Sequence, residues 1–339
     1  MPSPTGILVT GAAGFIGSAF VRSALERRPG APVVSLDALT YAGSLENLRD
    51  LPEPDRHTFV EGDVRDGALV RRLIQEHGVR LVVHLAAESH VDRSITGPSA
   101  FVETNVLGTQ ALLDACREAE GVRFHHVSTD EVYGDLGPDD PAFTERTPYA
   151  PSSPYSASKA GSDHLVRAYA RTYGLPVTIT NCSNNYGPRQ YPEKLIPVVI
   201  QRAVAGEPIP VYGDGGNVRD WLYVGDHCDA IWAVIDRGAL GETYNVGGNA
   251  EVDNLTLVNT LCAILDDRRP DGAPHADLIE FVADRPGHDR RYAVDTTKIG
   301  GIGWSPRQSL RSGLEATVDW YLGHQDWIDA VLHRNHAPT

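Results

Sequence analysis

Residues 6–17 read Gly6-Ile7-Leu8-Val9-Thr10-Gly11-Ala12-Ala13-Gly14-Phe15-Ile16-Gly17. Gly6 to Thr10 is a short apolar run of strand length. The glycine-rich part opens a helical pattern that reaches about Arg28 and is closed by Pro29-Gly30. Strand, glycine turn and helix together place a pyrophosphate at a helix N-terminus. The G-x-x-G-x-x-G spacing is a variant of the dinucleotide fingerprint, in which glycines let the backbone approach the phosphates and let helix and strand pack closely. A second apolar strand, Pro32 to Leu36, ends at Asp37, twenty residues after Gly17. An acid at that place binds the adenosine ribose hydroxyls. It favours NAD over NADP, because it repels a 2′-phosphate.

Outward from this unit the pattern repeats. Strands are expected at Thr58–Glu61, Leu81–Ala87, Arg123–Ser128 and Pro176–Thr180. Helices are expected over about Gly67–His77 and Pro98–Glu118. Strands that are apolar on both faces and alternate with helices predict an α/β fold, a Rossmann-type doubly wound parallel sheet. The later chain predicts helices near Glu193–Ala205, Val224–Arg237 and Leu255–Asp267, and a final one over Leu310–Leu322. Strands are expected at Ile209–Tyr212, Glu242–Val246 and Leu278–Val282. No linker separates independent domains. The expected division is a nucleotide-binding domain over 1–188, with 224–250 returning to it, and a smaller interleaved substrate lobe over 189–339.

Composition narrows the function. The chain has 339 residues, 41% hydrophobic, and a formal net charge of −15. A bulk nucleic-acid binder is usually basic, so that class is set aside. There is no apolar run of membrane-spanning length, and Met1-Pro2-Ser3-Pro4 leads straight into a strand pattern. A soluble, cytoplasmic protein with no membrane partner is expected. Cys116, Cys182, Cys228 and Cys262 are far apart and form no C-x-x-C pair, which argues against a metal site or a disulfide framework.

Further stretches carry chemistry. In Ser152-Ser153-Pro154-Tyr155-Ser156-Ala157-Ser158-Lys159, a serine caps a helix, Pro154 suits its first turn, and Gly174 stops it. Tyr155 and Lys159 then share one helix face. An ammonium about 4 Å away supplies on the order of 4 kcal/mol at an effective dielectric near 20, which corresponds to roughly three pKa units. On that reasoning Lys159 alone makes Tyr155 a usable proton acceptor. At the end of the fifth strand, Thr129-Asp130-Glu131 sets two carboxylates side by side, an arrangement that splits into one protonated and one ionised group. Asp63 stands at a strand end, as an adenine contact or as a helix cap. The Asn181–Pro188 loop offers several amides, and Arg219 and the Arg285–Arg291 array offer forked donors for a diphosphate.

The glycine turn, Asp37 and Tyr155-x3-Lys159 together resemble the extended short-chain dehydrogenase/reductase family. More narrowly, Ala86–Ser94, Ser128–Gly134, Ser183–Pro188, Glu193–Pro197, Arg219-Asp220-Trp221 and Asp284–Asp289 look like the dTDP-glucose 4,6-dehydratases. The resemblance spans essentially the whole chain. It implies a lyase that uses a tightly bound, recycled NAD on dTDP-glucose and works as a homodimer built on helices near 98–118 and 154–173. It implies Thr129, Asp130, Glu131, Tyr155 and Lys159 as catalytic residues. By the same match, Gly11, Gly14, Phe15, Ile16, Gly17, Asp37, Leu39, Thr40, Asp63, Val64, Leu85, Ala87, Ser89, Thr104, Tyr155, Lys159 and Asn185 line the NAD site. Ser89, Thr129, Asn184, Lys194, Leu195, Pro210, Tyr212, Arg219, Asn254, Arg285 and His288 face the nucleotide sugar. A nucleotide-sugar 4-epimerase or decarboxylase shares Tyr155, Lys159 and the glycine turn but has no use for Asp130-Glu131. A non-catalytic NAD-sensing protein has no use for all four groups.

Overall fold

The computed structural model describes residues 5–284 and 288–334, with side chains through Leu332. Among these, twelve strands, numbered along the chain, form three sheets. The large sheet contains β1 (Gly6–Thr10), β2 (Val33–Asp37), β3 (His57–Glu61), β4 (Val79–His84), β5 (Arg123–Thr129), β6 (Val177–Cys182) and β10 (Thr243–Val246). Their order is β10-β6-β5-β4-β1-β2-β3, and every pairing is parallel. β1, β2 and β6 are buried along their whole length, as apolar strands covered on both faces must be.

Strand alternation distributes the core. Leu8, Val34, Leu36, Val82 and Phe124 point to one face and pack with the helices Gly67–Glu76, Gly108–Glu118 and Pro154–Tyr173. Ile7, Val9, Val33 and Val83 point to the other and pack with Phe15–Arg27 and Val224–Arg237. These last two helices meet through the stacked rings of Phe20 and Trp232.

A second core gathers the helices Leu195–Ala205, Asn254–Arg268, Leu310–Gly323 and Gln325–Arg334. Two small sheets accompany it. β9 (Val218–Tyr223) lies between β7 (Asn184–Tyr186) and β11 (Glu251–Asp253), and β8 (Ile209–Tyr212) pairs with β12 (Ile279–Val282).

Four local readings of the sequence are corrected. The segment 98–118 is not one regular α-helix, because Val102–Leu107 winds as a π-helical turn between Pro98–Phe101 and Gly108–Glu118. The polar stretch after β4 contains a short helix, Val91–Thr96. Within the asparagine-rich loop, Asn184–Tyr186 pairs with β9 as a strand. A further helix, Gln325–Arg334, follows the one taken as last.

Candidate active site

The C-terminal ends of the parallel strands open into one cavity of about 510 Å³, at the point where strand order reverses between β1 and β4. Ligands of open α/β sheets collect there. The glycine turn forms its floor. Gly11 has φ +66°, and a side chain on it would run into the backbone of Leu85 and Ala86. A Cβ on Gly17 would sit 2.0 Å from the Gly11 carbonyl. Both positions therefore need glycine, one for conformation and one for the close approach of helix to turn. Asp37 is buried at the end of β2, and its carboxylate accepts the amides of Ala13 and Leu39, each at 2.8 Å. The acid expected to bind the ribose is thus tied to the glycine turn itself.

Sixteen of the seventeen residues expected at the NAD site line this cavity: Gly11, Gly14, Phe15, Ile16, Gly17, Asp37, Thr40, Asp63, Val64, Leu85, Ala87, Ser89, Thr104, Tyr155, Lys159 and Asn185. Leu39 does not, and it turns the chain with φ 50° just beyond Asp37. Asp63 is not a helix cap: Asp66 caps the next helix, while Asp63 takes two side-chain bonds from Arg65. Those bonds hold the Asp63 carboxyl below its usual range. The cavity accordingly has a backbone cradle for phosphates, an acid for a ribose and apolar walls between them, which suits a dinucleotide.

The chemistry sits at the far end of the same cavity. Ser153 caps the Pro154–Tyr173 helix through a capping box with Ser156. This presents Tyr155 one residue inside the first turn and Lys159 one turn further on. Both are buried. The Lys159 ammonium donates to the Val127 carbonyl at 2.8 Å. Burial raises the Tyr155 phenol well above its ordinary value, the Glu131 charge raises it further, and the Thr129 hydroxyl pulls it down. Burial lowers Lys159 in turn. Burial of both groups works against the expected activation of Tyr155 by Lys159.

The carboxylate pair behaves as two different groups. Asp130 is 1% exposed, with Oδ1 at 3.3 Å from the Thr129 hydroxyl and Oδ2 unpaired. Burial, and then the Glu131 and Asp220 charges, push its pKa well above the usual carboxylate range. Burial thus favours the acid form of Asp130. Glu131, half-buried, is held through its amide to Thr129 Oγ1 and faces the same cavity.

Of the residues expected at the sugar nucleotide, Ser89, Thr129, Asn184 and Lys194 line the cavity. Leu195, Pro210, Tyr212, Arg219, Asn254 and His288 lie outside its wall. Arg219 is buried, donates to the carbonyls of Val218, Asp289 and Arg290, and lies against the Tyr292 ring. His288 contacts Asp284 at 2.7 Å. Arg285 lies outside the described residues. Sequence reasoning passed over Asn105, on the π-helical turn. Its amide bonds both backbone groups of Glu88 and the Ser158 hydroxyl, so it ties the loop after β4 to the Tyr155 helix. A buried asparagine in an otherwise amphipathic helix was the available signal, and π-turns recur at functional sites. Cys182 also lines the cavity, with its thiol pushed up to about 12 by burial.

Among proteins of this fold, a dinucleotide cradle joined to a Tyr-x3-Lys helix marks the extended short-chain dehydrogenase/reductases. Within that class the chain belongs to the GDP-mannose 4,6 dehydratase family, whose model matches residues 8–317. It is 59% identical over 337 residues to the dTDP-glucose 4,6-dehydratase of Xanthomonas campestris pv. campestris (strain B100), covering 96% of this chain and 95% of the relative. It resembles the crystal structure of DesIV, a dTDP-glucose 4,6-dehydratase from Streptomyces venezuelae with NAD and TYD bound, with TM-score 0.90 and 48% identity over 96% of this chain and all of that one. The UDP-glucose 4-epimerase of Thermotoga maritima with UDP-glucose is also similar, with TM-score 0.85 and 29% identity over 95% of this chain and all of that one.

Proposed function

We propose that this chain is an NAD-dependent dTDP-glucose 4,6-dehydratase, converting dTDP-glucose to dTDP-4-keto-6-deoxy-glucose and water. The observation that carries the reading is the split pair Asp130 and Glu131, lining the same cavity as Tyr155. Bound NAD supplies a hydride acceptor for C4 of the sugar and the same hydride for C6 later, so no outside reductant is needed.

The protein's own groups do the proton work. Tyr155 takes the proton of the C4 hydroxyl, and Thr129 hydrogen-bonds that oxygen. The C4 ketone then acidifies the C5 proton, which Glu131 removes. Asp130, kept protonated by burial, gives its proton to the departing C6 hydroxyl, which leaves as water. Return of a proton to C5 completes the 4-keto-6-deoxy sugar. Lys159 supplies the positive charge behind Tyr155.

Residues 1–188 with 224–250 serve the NAD, and most of 189–339 serves the nucleotide sugar, with Lys194 on the cavity wall as a cation for its diphosphate. The exposed apolar side chains Ile95, Val102, Leu107 and Tyr173 on the 91–118 and 154–173 segments support a homodimer through those helices. No helix among the described residues is long and apolar enough to cross a membrane, which agrees with a cytoplasmic enzyme.

Product analysis tests the reading. The enzyme is incubated with dTDP-glucose and, separately, with UDP-glucose. Conversion of the first to the alkali-absorbing 4-keto-6-deoxy sugar is expected. Recovery of dTDP-galactose alone would identify an epimerase instead.

A further inference from the structure

Behind Lys159 lies a buried polar cluster that the sugar chemistry leaves unused. Asp163 follows Lys159 by one helical turn, as Lys159 follows Tyr155, so the three stand in a row on one helix face. Asp163 is fully buried. The Tyr149 hydroxyl donates to its Oδ2 at 2.7 Å, and His126 Nε2, on β5, lies 3.3 Å from its Oδ1. Tyr149 is itself held by Arg167 at 2.6 Å and by Asn181 at 2.9 Å.

A carboxylate without solvent must be paired or neutralised. Burial raises Asp163, but His126, Lys159 and Tyr149 outweigh it and hold the group below its ordinary range. His126 is brought down to about 4 by burial and by the Lys159 charge, which favours the neutral imidazole beside the carboxylate. The groups facing Lys159 are Asp163 on its own helix, His126 and the Val127 carbonyl on β5, His84 on β4 and Cys182 on β6, while Tyr155 stands one turn before it on the same helix. Those facing Asp163 are Lys159 and Arg167 on its own helix, His126, Tyr149 and Tyr133. The Cys182 thiol stays neutral, so among the described groups deep around Lys159 the anion is Asp163.

We propose that Asp163 is a positioning residue for proton transfer: its carboxylate, held by the Tyr149 hydroxyl, is the counter-charge that keeps the buried Lys159 ammonium protonated behind Tyr155. The proposal rests on reading Tyr155 and Lys159 as the proton-transfer pair. Buried and without an anion, a lysine gives up its proton readily. A neutral Lys159 exerts no pull on a phenolate.

The chain has three lysines, Lys159, Lys194 and Lys298. Lysine labelled with 15N at Nζ therefore gives three signals, and Lys159→Arg identifies the one of interest. In Asp163→Asn holoenzyme, the Lys159 titration midpoint is expected to fall by about one pH unit or more, and the alkaline limb of the kcat profile to move with it. Tyr149→Phe, which removes one bond to the carboxylate, is expected to shift both in the same direction by less, and it decides the matter if Asp163→Asn does not fold. A merely structural Asp163 lowers kcat equally at every pH and leaves the Lys159 midpoint in place, and that result overturns the proposal. So does a midpoint that falls while the alkaline limb stays fixed. The lysine titration needs no turnover, so a failure of the dehydratase reading, visible in the products, is distinguishable from a failure of this one.

Discussion

Asp130 and Glu131 differ by one residue and by almost everything else. Asp130 is enclosed and pushed toward its acid form, while Glu131 reaches the open cavity. Their division of labour gives two expectations. Glu131→Gln keeps the shape of the side chain but cannot remove the C5 proton. Reaction with dTDP-glucose is then expected to stop after C4 oxidation, with kcat down roughly 10²- to 10⁴-fold. A persistent nicotinamide absorbance in a single-turnover trace checks this, and rapid product release with no such trace would remove Glu131 from its role. For Asp130 the expectation concerns stability. Its folded pKa lies above the unfolded value of about 3.9, so the folded state binds the extra proton. The wild-type fold therefore loses stability as pH rises above about 4 and until the folded pKa is passed. Asp130→Asn abolishes that penalty. The variant is expected to be less active yet more resistant to urea than wild type at pH 7, with the difference shrinking toward pH 4. Equal midpoints at both pH values would show that Asp130 carries no ionisation penalty.

At the level of elements, the helix that presents Tyr155 begins where the sequence indicates. Ser153, Pro154 and Gly174 supply a cap, a first turn and a left-handed stop at φ 70°. Ser153→Ala is expected to lower the unfolding free energy by about 1 kcal/mol, and Ser153→Thr to restore most of it. Urea midpoints read the difference, and an unchanged midpoint in the alanine variant would mean the Ser156 hydroxyl caps the helix alone. Legibility follows physics here. Apolar periodicity, glycine turns and caps are local, so β1, β2, the glycine turn and the Tyr155 helix could be read directly. The π-turn at Val102–Leu107 could not, because it exists to bring Asn105 against Glu88 and Ser158, which are distant in sequence. β7 was equally hidden, since three residues of Asn-Asn-Tyr become a strand only when β9 lies beside them. The electrostatics were less legible for a related reason. Helical spacing set Lys159 on the Tyr155 face, but the carbonyl of Val127 that it bonds and the burial of both groups come from β5 and the packed core.

The molecule as a whole joins its two cores through its last helix, Gln325–Arg334, which the sequence reading did not anticipate. Trp327 packs edge-on against Trp320 and Tyr321 in the second core. Its indole N–H crosses to Asn47 Oδ1 at 2.9 Å. Asn47 in turn donates to the Ala13 carbonyl at 2.7 Å, and the Ala13 amide donates to Asp37. An unbroken chain of bonds therefore runs from Trp327 to the glycine turn and Asp37. A sheet holding a nucleotide at its strand ends depends on loops that its own core does not fix. Here the neighbouring lobe fixes one of them. Trp327→Phe keeps the aromatic packing and removes only the indole donor, leaving the buried Asn47 oxygen unpaired at a cost of about 1–3 kcal/mol. If that strain is felt at the glycine turn, affinity for NAD weakens about tenfold for each 1.4 kcal/mol transmitted. The expected result is faster loss of NAD on gel filtration and a raised Kd, with kcat at saturating NAD unchanged because Trp327 touches none of the reacting groups. A variant that loses stability while holding NAD as tightly as wild type would confine the clamp to folding, and the coupling of the last helix to the cofactor site would be rejected.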